Sequence, residues 1–214
     1  MLKLLQEFAE TNNPVLTSQQ QAIFDHISGL ISGLRVITSV PGCGKTFLIK
    51  FFTSSFIKNN KTVILTASTG AVAASLSSLA TTVHYQFRIP CSKQHFPQAV
   101  HPMDERFVAI HGANVIIIDE ISMLVSTIFN MTVRQIVNIS NETLLDPFSQ
   151  KLILLFGDLV QLPPVYHHQE PLCHVCNIRN SAYIAAATTH NMTFSVRHAA
   201  DPAYVQFLDT IRVK

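Results

Sequence analysis

The chain has 214 residues, enough to bury one sizeable hydrophobic core but too few for two full domains of ordinary size. Hydrophobic residues make up 48% of the chain and charged residues only 13%, which is typical of α/β proteins whose central strands are covered on both faces. The formal net charge of +2 is too small to indicate or exclude nucleic-acid binding. No apolar run approaches the about 20 residues of a membrane-spanning helix, so we expect an intracellular protein without a membrane partner.

The first predicted element is a helix. Thr17, followed three residues later by Gln20, forms a capping-box pattern, and apolar residues then recur at helical spacing. These signals predict a helix over about residues 18–30. The next segment, Arg35–Thr38, has the composition of a short buried strand, and after a glycine-containing loop an apolar helix is predicted over Phe47–Ile57.

Strands and helices continue to alternate along the chain. The predicted elements are, in order, a strand over Thr62–Thr66, a helix over Ala71–Leu79, a strand over Val115–Ile118, a helix within Val125–Ile139 and a strand over Lys151–Phe156. Such alternation is typical of right-handed crossovers and a parallel sheet. We therefore predict an α/β fold with a mostly parallel sheet and helices on both faces. Arg88–Gly112 and Gln169–Ser181 are predicted to be irregular surface segments.

Residues 39–46, with the sequence Ser-Val-Pro-Gly-Cys-Gly-Lys-Thr, lie between the first predicted strand and the helix after it. A phosphate-binding loop belongs there, because its backbone N–H groups and the helix N-terminus can surround a polyphosphate. The predicted ligand is ATP, and the predicted contacts are Pro41, Gly42, Cys43, Gly44, Lys45 and Thr46. Lys45 would reach the β and γ phosphates, and the Thr46 hydroxyl would bind Mg²⁺. Ser39 replaces the usual first glycine, and the alternative is a glycine turn before a core helix.

Two acidic residues, Asp119 and Glu120, follow the predicted strand Val115–Ile118. In open α/β sheets, ligands collect at the carboxyl ends of the strands. We therefore predict that Asp119 holds Mg²⁺ through water and that Glu120 orients and deprotonates the attacking water. The alternative is a strand ended by two solvated acids, which the phosphate loop upstream disfavours.

Two further segments give the sequence a specific resemblance. Residues 119–123 read Asp-Glu-Ile-Ser-Met, and residues 157–165 read Gly-Asp-Leu-Val-Gln-Leu-Pro-Pro-Val. With the phosphate loop, they resemble the PIF1 and RecD-like DNA helicases of superfamily 1B, whose domains are RecA-like P-loop NTPases. The resemblance extends from Leu16 to Arg212. It implies an ATP-dependent helicase moving 5′ to 3′ on single-stranded DNA, in replication, repair or recombination and located in the nucleus.

The resemblance also implies roles for residues outside the phosphate loop. Gln20 corresponds to the adenine-reading glutamine of the family, Gln161 to its γ-phosphate sensor and Arg197 to an arginine that stabilises charge on the γ phosphate. The residues that correspond to the walls of the single-strand channel are Ser68, Thr69, Thr82 and His84. The sequence departs from the family at His198, where a glutamine is usual, and at Arg88, where relatives tend to have glycine.

Several assignments leave an alternative open. Gln20 is alternatively a helix-capping residue, Arg197 a surface arginine before an amphipathic helix, and His84 a structural histidine. Cys173 and Cys176 form a single Cys-x-x-Cys pair, which without a second pair is a weak zinc pattern, and we assign no zinc to it.

Family members continue into a second RecA-like domain, so the resemblance implies that residues 1–214 form domain 1A and that the second domain is a missing partner. Hydrolysis couples to movement only when two such domains close around ATP. We therefore expect this chain alone to bind Mg-ATP but to unwind DNA poorly or not at all. Two other function classes stay open: a non-motor phosphate-loop enzyme such as a nucleotide kinase, and a non-catalytic ATP-binding module that regulates a replication complex.

Overall fold

The computed structural model describes residues 15–91, 96–159 and 177–196. Six strands of these ranges form one sheet: β1 (Gly33–Ser39), β2 (Val63–Ala67), β3 (Thr81–Thr82), β4 (Val115–Asp119), β5 (Leu152–Gly157) and β6 (Thr188–Met192). Their order across the sheet is β3-β2-β4-β5-β1-β6, and every pair of neighbours is parallel. The predicted α/β fold with a mostly parallel sheet is confirmed.

The helices cover both faces of this sheet. They are α1 (Ser18–Ser28), α2 (Lys45–Lys58), α3 (Gly70–Leu76), α4 (Val83–Gln86), α5 (Glu105–Gly112), α6 (Ser126–Ser140) and α7 (Ala182–Ala185), with two short 3-10 helices, Ile121–Met123 and Ile178–Asn180. One face packs against α1, α2 and α3, and the other against α5 and α6. Among the helices of the described ranges, none combines the length and the apolar character that a bilayer span requires.

Strand β4 shows how the two faces arise from one sequence. Successive side chains of a strand point to opposite faces, so Ile116 and Ile118 join one apolar cluster and Val115 and Ile117 join the other. All four side chains are almost completely buried. Each contributes about 1.5–3 kcal/mol relative to an exposed position. The strand ends at Asp119, which therefore lies at the same carboxyl edge of the sheet as the loop after β1.

Most predicted boundaries lie within two residues of the observed ones, but α3 is shorter than predicted. The sequence predicts a helix that reaches Leu79, but the helix ends at Leu76. Ser77 adopts an extended conformation, and its hydroxyl accepts a hydrogen bond from the N–H of Leu79 at 3.1 Å. Serine hydroxyls compete in this way with the helical hydrogen bonds, and the 47% exposure of Leu79 shows that little apolar burial opposes the ending.

The prediction of an irregular surface excursion over Arg88–Gly112 is partly wrong, because its last eight residues form α5. Asp104 caps this helix by accepting a hydrogen bond from the N–H of Arg106 at 2.9 Å, and Ile110 is fully buried. At the other end, the ammonium group of Lys151 donates to the carbonyl oxygens of two residues of the last turn and cap, His111 and Ala113. A cation is favourable there because unpaired carbonyl groups accumulate at a helix C-terminus.

Candidate functional site

The predicted phosphate loop runs from the end of β1 into the start of α2. Gly42 and Gly44 have positive φ angles of 78° and 80°, which residues with a side chain rarely adopt. Ser39 is the last residue of β1 and has no positive φ, so the backbone does not require glycine there. The loop borders a cavity of about 440 Å³ that is lined by residues 39–47 and by Asp158. This volume suits a nucleotide-sized ligand.

The two predicted acids meet the lysine of the phosphate loop. The ammonium nitrogen of Lys45 lies 2.6 Å from Oε2 of Glu120 and 3.1 Å from Oδ1 of Asp119. β5 lies between β1 and β4 in the sheet, yet the residues after all three strands share one edge. The structure thus brings together three residues that the sequence places at two sites separated by more than 70 positions.

The charges of this triad shift one another's pKa values. Burial acts to lower the pKa of Lys45, but the charge of Asp119 and the hydrogen bond with Glu120 outweigh it and raise that pKa above its ordinary value. Burial raises the pKa of Asp119 despite the nearby ammonium group. Burial also acts to raise the pKa of Glu120, but its hydrogen bond with Lys45 and the lysine charge hold it below the usual range. Glu120 is therefore ionised at neutral pH.

The backbone turn at Glu120 fixes the direction of its carboxylate. Glu120 has φ 55° and ψ 48°, a left-handed conformation that a glutamate adopts rarely. Its N–H donates to Oδ1 of Asp119 at 2.7 Å. The hydroxyl of Ser122 donates to Oε1 at 2.8 Å, while Lys45 binds Oε2. Each carboxylate oxygen therefore has its own partner, and sparsely populated backbone conformations of this kind cluster at functional sites.

Gly157, the last residue of β5, lies directly against this turn. A Cβ atom at Gly157 would lie 2.8 Å from Cγ1 and 2.9 Å from the backbone nitrogen of Ile121, distances that real Cβ contacts do not show. The end of β5 and the turn that carries Glu120 can approach so closely only because residue 157 has no side chain.

We predict that Gly157→Ala lowers the free energy of unfolding by about 1–3 kcal/mol, because the added methyl group must displace the backbone at Ile121. Equilibrium denaturation in urea measures this change. Gly112→Ala is the matched control, since a Cβ atom there meets nothing within 4 Å. It should be neutral or slightly stabilising in its exposed helical position. Equal stability of the two variants would contradict the close approach.

Gln20 contacts the phosphate loop and also caps α1. Its Oε1 accepts from the N–H of Thr17 at 3.0 Å, the hydroxyl of Thr17 accepts from the N–H of Gln20 at 3.2 Å, and this completes the predicted capping box. Its Nε2 donates to the carbonyl oxygen of Cys43 at 3.0 Å. The residue is 3% exposed, and its hydrogen bonds in this structure join α1 to the phosphate loop. Its role in reading the adenine edge stays a prediction.

Cys43 is a structural part of the loop. The side chain is 2% exposed, and its sulfur lies 2.8 Å from the carbonyl oxygen of Val40. Burial raises the pKa of the thiol above its ordinary value. The thiol is therefore protonated at neutral pH and packs inside the loop, and the contact predicted for Cys43 with phosphate is through its backbone N–H.

The four predicted DNA contacts lie at the carboxyl edge of β2 and β3. Ser68 and Thr69 follow β2, Thr82 ends β3 and His84 lies in α4. The hydroxyl of Thr69 accepts from the N–H of Val72 and caps α3, and the hydroxyl of Thr82 caps α4 in the same way. Burial lowers the pKa of His84, so its imidazole is neutral at neutral pH. The structure places the four residues together, and their contact with DNA stays a prediction.

Other sequence-predicted residues lie outside the described ranges. These are Gln161, Arg197, Cys173 and Cys176. Asp158 and Ser122 were not assigned a role from the sequence, although Asp158 lines the cavity and Ser122 holds Glu120. Both residues lie in the segments that carry the family resemblance, and membership of those segments is the sequence signal that could have indicated a role for them. Their contacts depend on the strand order, which that signal does not reveal.

Comparisons with known proteins point to one family. The sequence profile of the PIF1-like helicase family matches residues 15–207. The curated protein "ATP-dependent DNA helicase PIF1" of Danio rerio is 27% identical over 201 residues, which is 92% of this chain. Its counterpart of the same name in Homo sapiens is 26% identical over 208 residues, or 95% of this chain. The chain spans 30% of the length of each of these relatives.

Solved structures share the fold. The Pif1 helicase from Bacteroides in complex with ADP-AlF3 and ssDNA matches 94% of this chain and 47% of its own chain, with a TM-score of 0.76 and 25% identity. The Pif1 helicase from Candida albicans matches 93% of this chain and 44% of its own, with a TM-score of 0.73 and 22% identity, a likeness that concerns the fold alone. Because the family profile matches nearly the whole chain, this chain belongs to the PIF1-like helicase family.

Proposed function

We propose that this chain is the nucleotide-binding RecA-like domain of an ATP-dependent DNA helicase, which couples hydrolysis of Mg-ATP to movement on single-stranded DNA. The observation that carries the proposal is the convergence of Lys45 with Asp119 and Glu120, at 3.1 Å and 2.6 Å, beside the cavity of the phosphate loop. Membership of the PIF1-like helicase family supports the motor function.

The chain's own residues account for binding of the triphosphate. Residues 42–46, which include the start of α2, line the cavity, and their backbone N–H groups would bind phosphate oxygens together with Lys45. Thr46 and Asp119 offer a hydroxyl and a carboxylate, the hard oxygen ligands that Mg²⁺ prefers, so the donor set fits this ion. Bound Mg²⁺ would supply neutralisation of the phosphate charge.

Glu120 is the proposed general base. Its carboxylate would accept a proton from the water whose oxygen attacks the γ phosphorus, while the bond from that phosphorus to the bridging oxygen breaks and ADP leaves. The products are ADP and inorganic phosphate. The low pKa of Glu120 keeps the carboxylate ionised before the reaction. Gln161 as γ-phosphate sensor and Arg197 as a stabiliser of γ-phosphate charge complete the proposed catalytic set.

Single-stranded DNA is the proposed partner at the edge formed by β2 and β3. Hydroxyl and backbone groups at helix starts contact phosphates without reading base sequence, and Ser68, Thr69, Thr82 and His84 offer such groups. The N–H of Ser68 donates to the carbonyl oxygen of Asp119 at 3.2 Å, and Asp119 contacts Lys45 of the phosphate loop. A change at the nucleotide would therefore reach the DNA contacts through Asp119. The same proposal includes movement in the 5′ to 3′ direction, a nuclear location and a role in replication, repair or recombination. It also includes a second RecA-like domain that completes the motor.

The test is ATP binding and hydrolysis by residues 1–214, with and without a poly-dT oligonucleotide. We expect Mg-ATP to bind, hydrolysis to be slow but stimulated by the oligonucleotide, and strand displacement to be weak or absent. A nucleotide kinase would instead transfer the phosphate to a nucleoside monophosphate and ignore the oligonucleotide. Failure to bind Mg-ATP would overturn the nucleotide site, and robust unwinding by this chain would overturn the need for a second domain.

A further inference from the structure

Gln19 makes an unusually complete set of contacts for a partly buried glutamine. Its Oε1 accepts from the N–H groups of Thr193 at 3.0 Å and Phe194 at 3.2 Å. Its Nε2 donates to the carbonyl oxygen of Asn191 at 3.0 Å and to the hydroxyl of Thr193 at 3.2 Å. An amide has two acceptor and two donor positions, and all four are used by one segment that lies 172 to 175 residues away in sequence.

The same segment, residues 191–196, holds the phosphate loop. The N–H of Val40 donates to the carbonyl oxygen of Met192 at 3.0 Å, and the N–H of Val196 donates to the carbonyl oxygen of Gly42 at 3.0 Å. Gln20 reaches the next carbonyl group of the loop, that of Cys43. Two consecutive glutamines of α1 thus support the loop, one directly and one through residues 191–196.

Residues 191–196 are held in place mainly by hydrogen bonds. Phe194 and Val196 are about half exposed, at 55% and 48%, so their burial adds little. Met192 is the large apolar side chain of the segment that is buried. Without Gln19, the backbone N–H groups of Thr193 and Phe194 would lose their side-chain acceptor. The segment would then be free to shift. The N–H group of Val196, which donates to the carbonyl oxygen of Gly42, would shift with it.

We propose that Gln19 is a positioning residue for the phosphate loop, which it holds through residues 191–196. It has no contact with the cavity, so it acts by fixing the Gly42 carbonyl group and thereby the direction of the neighbouring N–H groups. Gln19 would therefore affect binding of the diphosphate part of the nucleotide, since that part binds the N–H groups of the loop. This inference rests on the proposed nucleotide site and adds Gln19, to which the sequence alone assigns no role.

The experiment measures binding of a fluorescent Mg-ADP analogue to residues 1–214 and its displacement by inorganic pyrophosphate. We expect Gln19→Ala to weaken both ligands by the same factor of about ten, the loss of one or two hydrogen bonds, with a fall of only a few degrees in Tm. Gln19→Glu keeps the acceptor for both N–H groups but loses the two donors, and we expect it to recover part of the affinity. Gln21→Ala is the matched control, because Gln21 is exposed on the same helix and contacts Asp25.

The outcomes separate this inference from the proposed function. No binding of either ligand by the wild-type chain would overturn the nucleotide site itself. Normal binding by Gln19→Ala, or weaker Mg-ADP binding without weaker pyrophosphate binding, would overturn the role of Gln19 alone. Weaker binding of Mg-ADP alone would mean that Gln19→Ala disturbs the contact with adenine, next to Gln20, and not the contact with the diphosphate. If Gln19→Ala does not fold, Gln19→Glu decides the question, since binding equal to the wild type would overturn the role.

Discussion

Replacing Glu120 by glutamine is expected to slow ATP hydrolysis by about 10²- to 10⁴-fold, the usual contribution of a general base, and to leave ATP binding nearly unchanged. Glutamine has the same shape and still presents an oxygen to the hydroxyl of Ser122, 2.8 Å from Oε1 in the native chain. It cannot accept a proton from water at neutral pH. The substitution therefore lowers the rate of the chemical step. Single-turnover hydrolysis measures this rate separately from ATP binding.

The matched control for Glu120→Gln is Glu105→Gln, which makes the same change at an exposed position of α5. That variant should hydrolyse ATP at the wild-type rate. If Glu120→Gln kept more than about a tenth of the wild-type rate, the loss would be too small for removal of a general base. Glu120 would then hold Lys45 in place without taking part in the reaction.

The location of the proposed nucleotide site could be predicted because it follows from local chemistry. The glycines before Lys45 and the acids after a buried strand each indicate a ligand at the carboxyl edge of the sheet, and alternating elements predict that the strands are parallel. The meeting of Lys45 with Glu120 also requires β1 and β4 to be separated by β5 alone. Strand order is a property of the whole chain, so the sequence indicated the edge but not the distances.

The contacts that hold the site were harder to predict. The sequence identifies Gly157 only as one residue of a motif. The need for a residue without a side chain is visible only in the structure, where the turn at Glu120 lies against the end of β5. The partners of Gln19 lie 172 to 175 residues away, beyond the range of any helical or strand pattern. β6 was missed because its sequence, Thr-Thr-His-Asn-Met, is polar and mostly exposed at the edge of the sheet. Local patterns report burial, whereas Gly157 acts through close backbone packing and Gln19 through hydrogen bonds.

Lys45→Ala is expected to abolish detectable ATP binding and also to destabilise the chain. The lysine side chain is 17% exposed and contacts the carboxylates of Asp119, 3% exposed, and Glu120, 18% exposed. Without the ammonium group, two adjacent carboxylates remain in a poorly hydrated site with no countercharge. Breaking a buried ion pair by removal of one partner costs about 3–5 kcal/mol, and the partial exposure of this triad favours the lower end of that range.

The two consequences of losing Lys45 can be separated, because they depend on different partners. Lys45→Ala combined with Asp119→Asn removes one of the two uncompensated charges and should restore part of the lost stability in urea denaturation, while ATP binding stays undetectable. Lys58→Ala, at the exposed end of the same helix, should change neither quantity. If the double variant instead regained ATP affinity, the lysine would serve only to neutralise the acids. Asp119→Asn alone is the control for the lost Mg²⁺ ligand. If that single variant still binds ATP and the double variant does not, at restored stability, the ammonium group of Lys45 binds the phosphates.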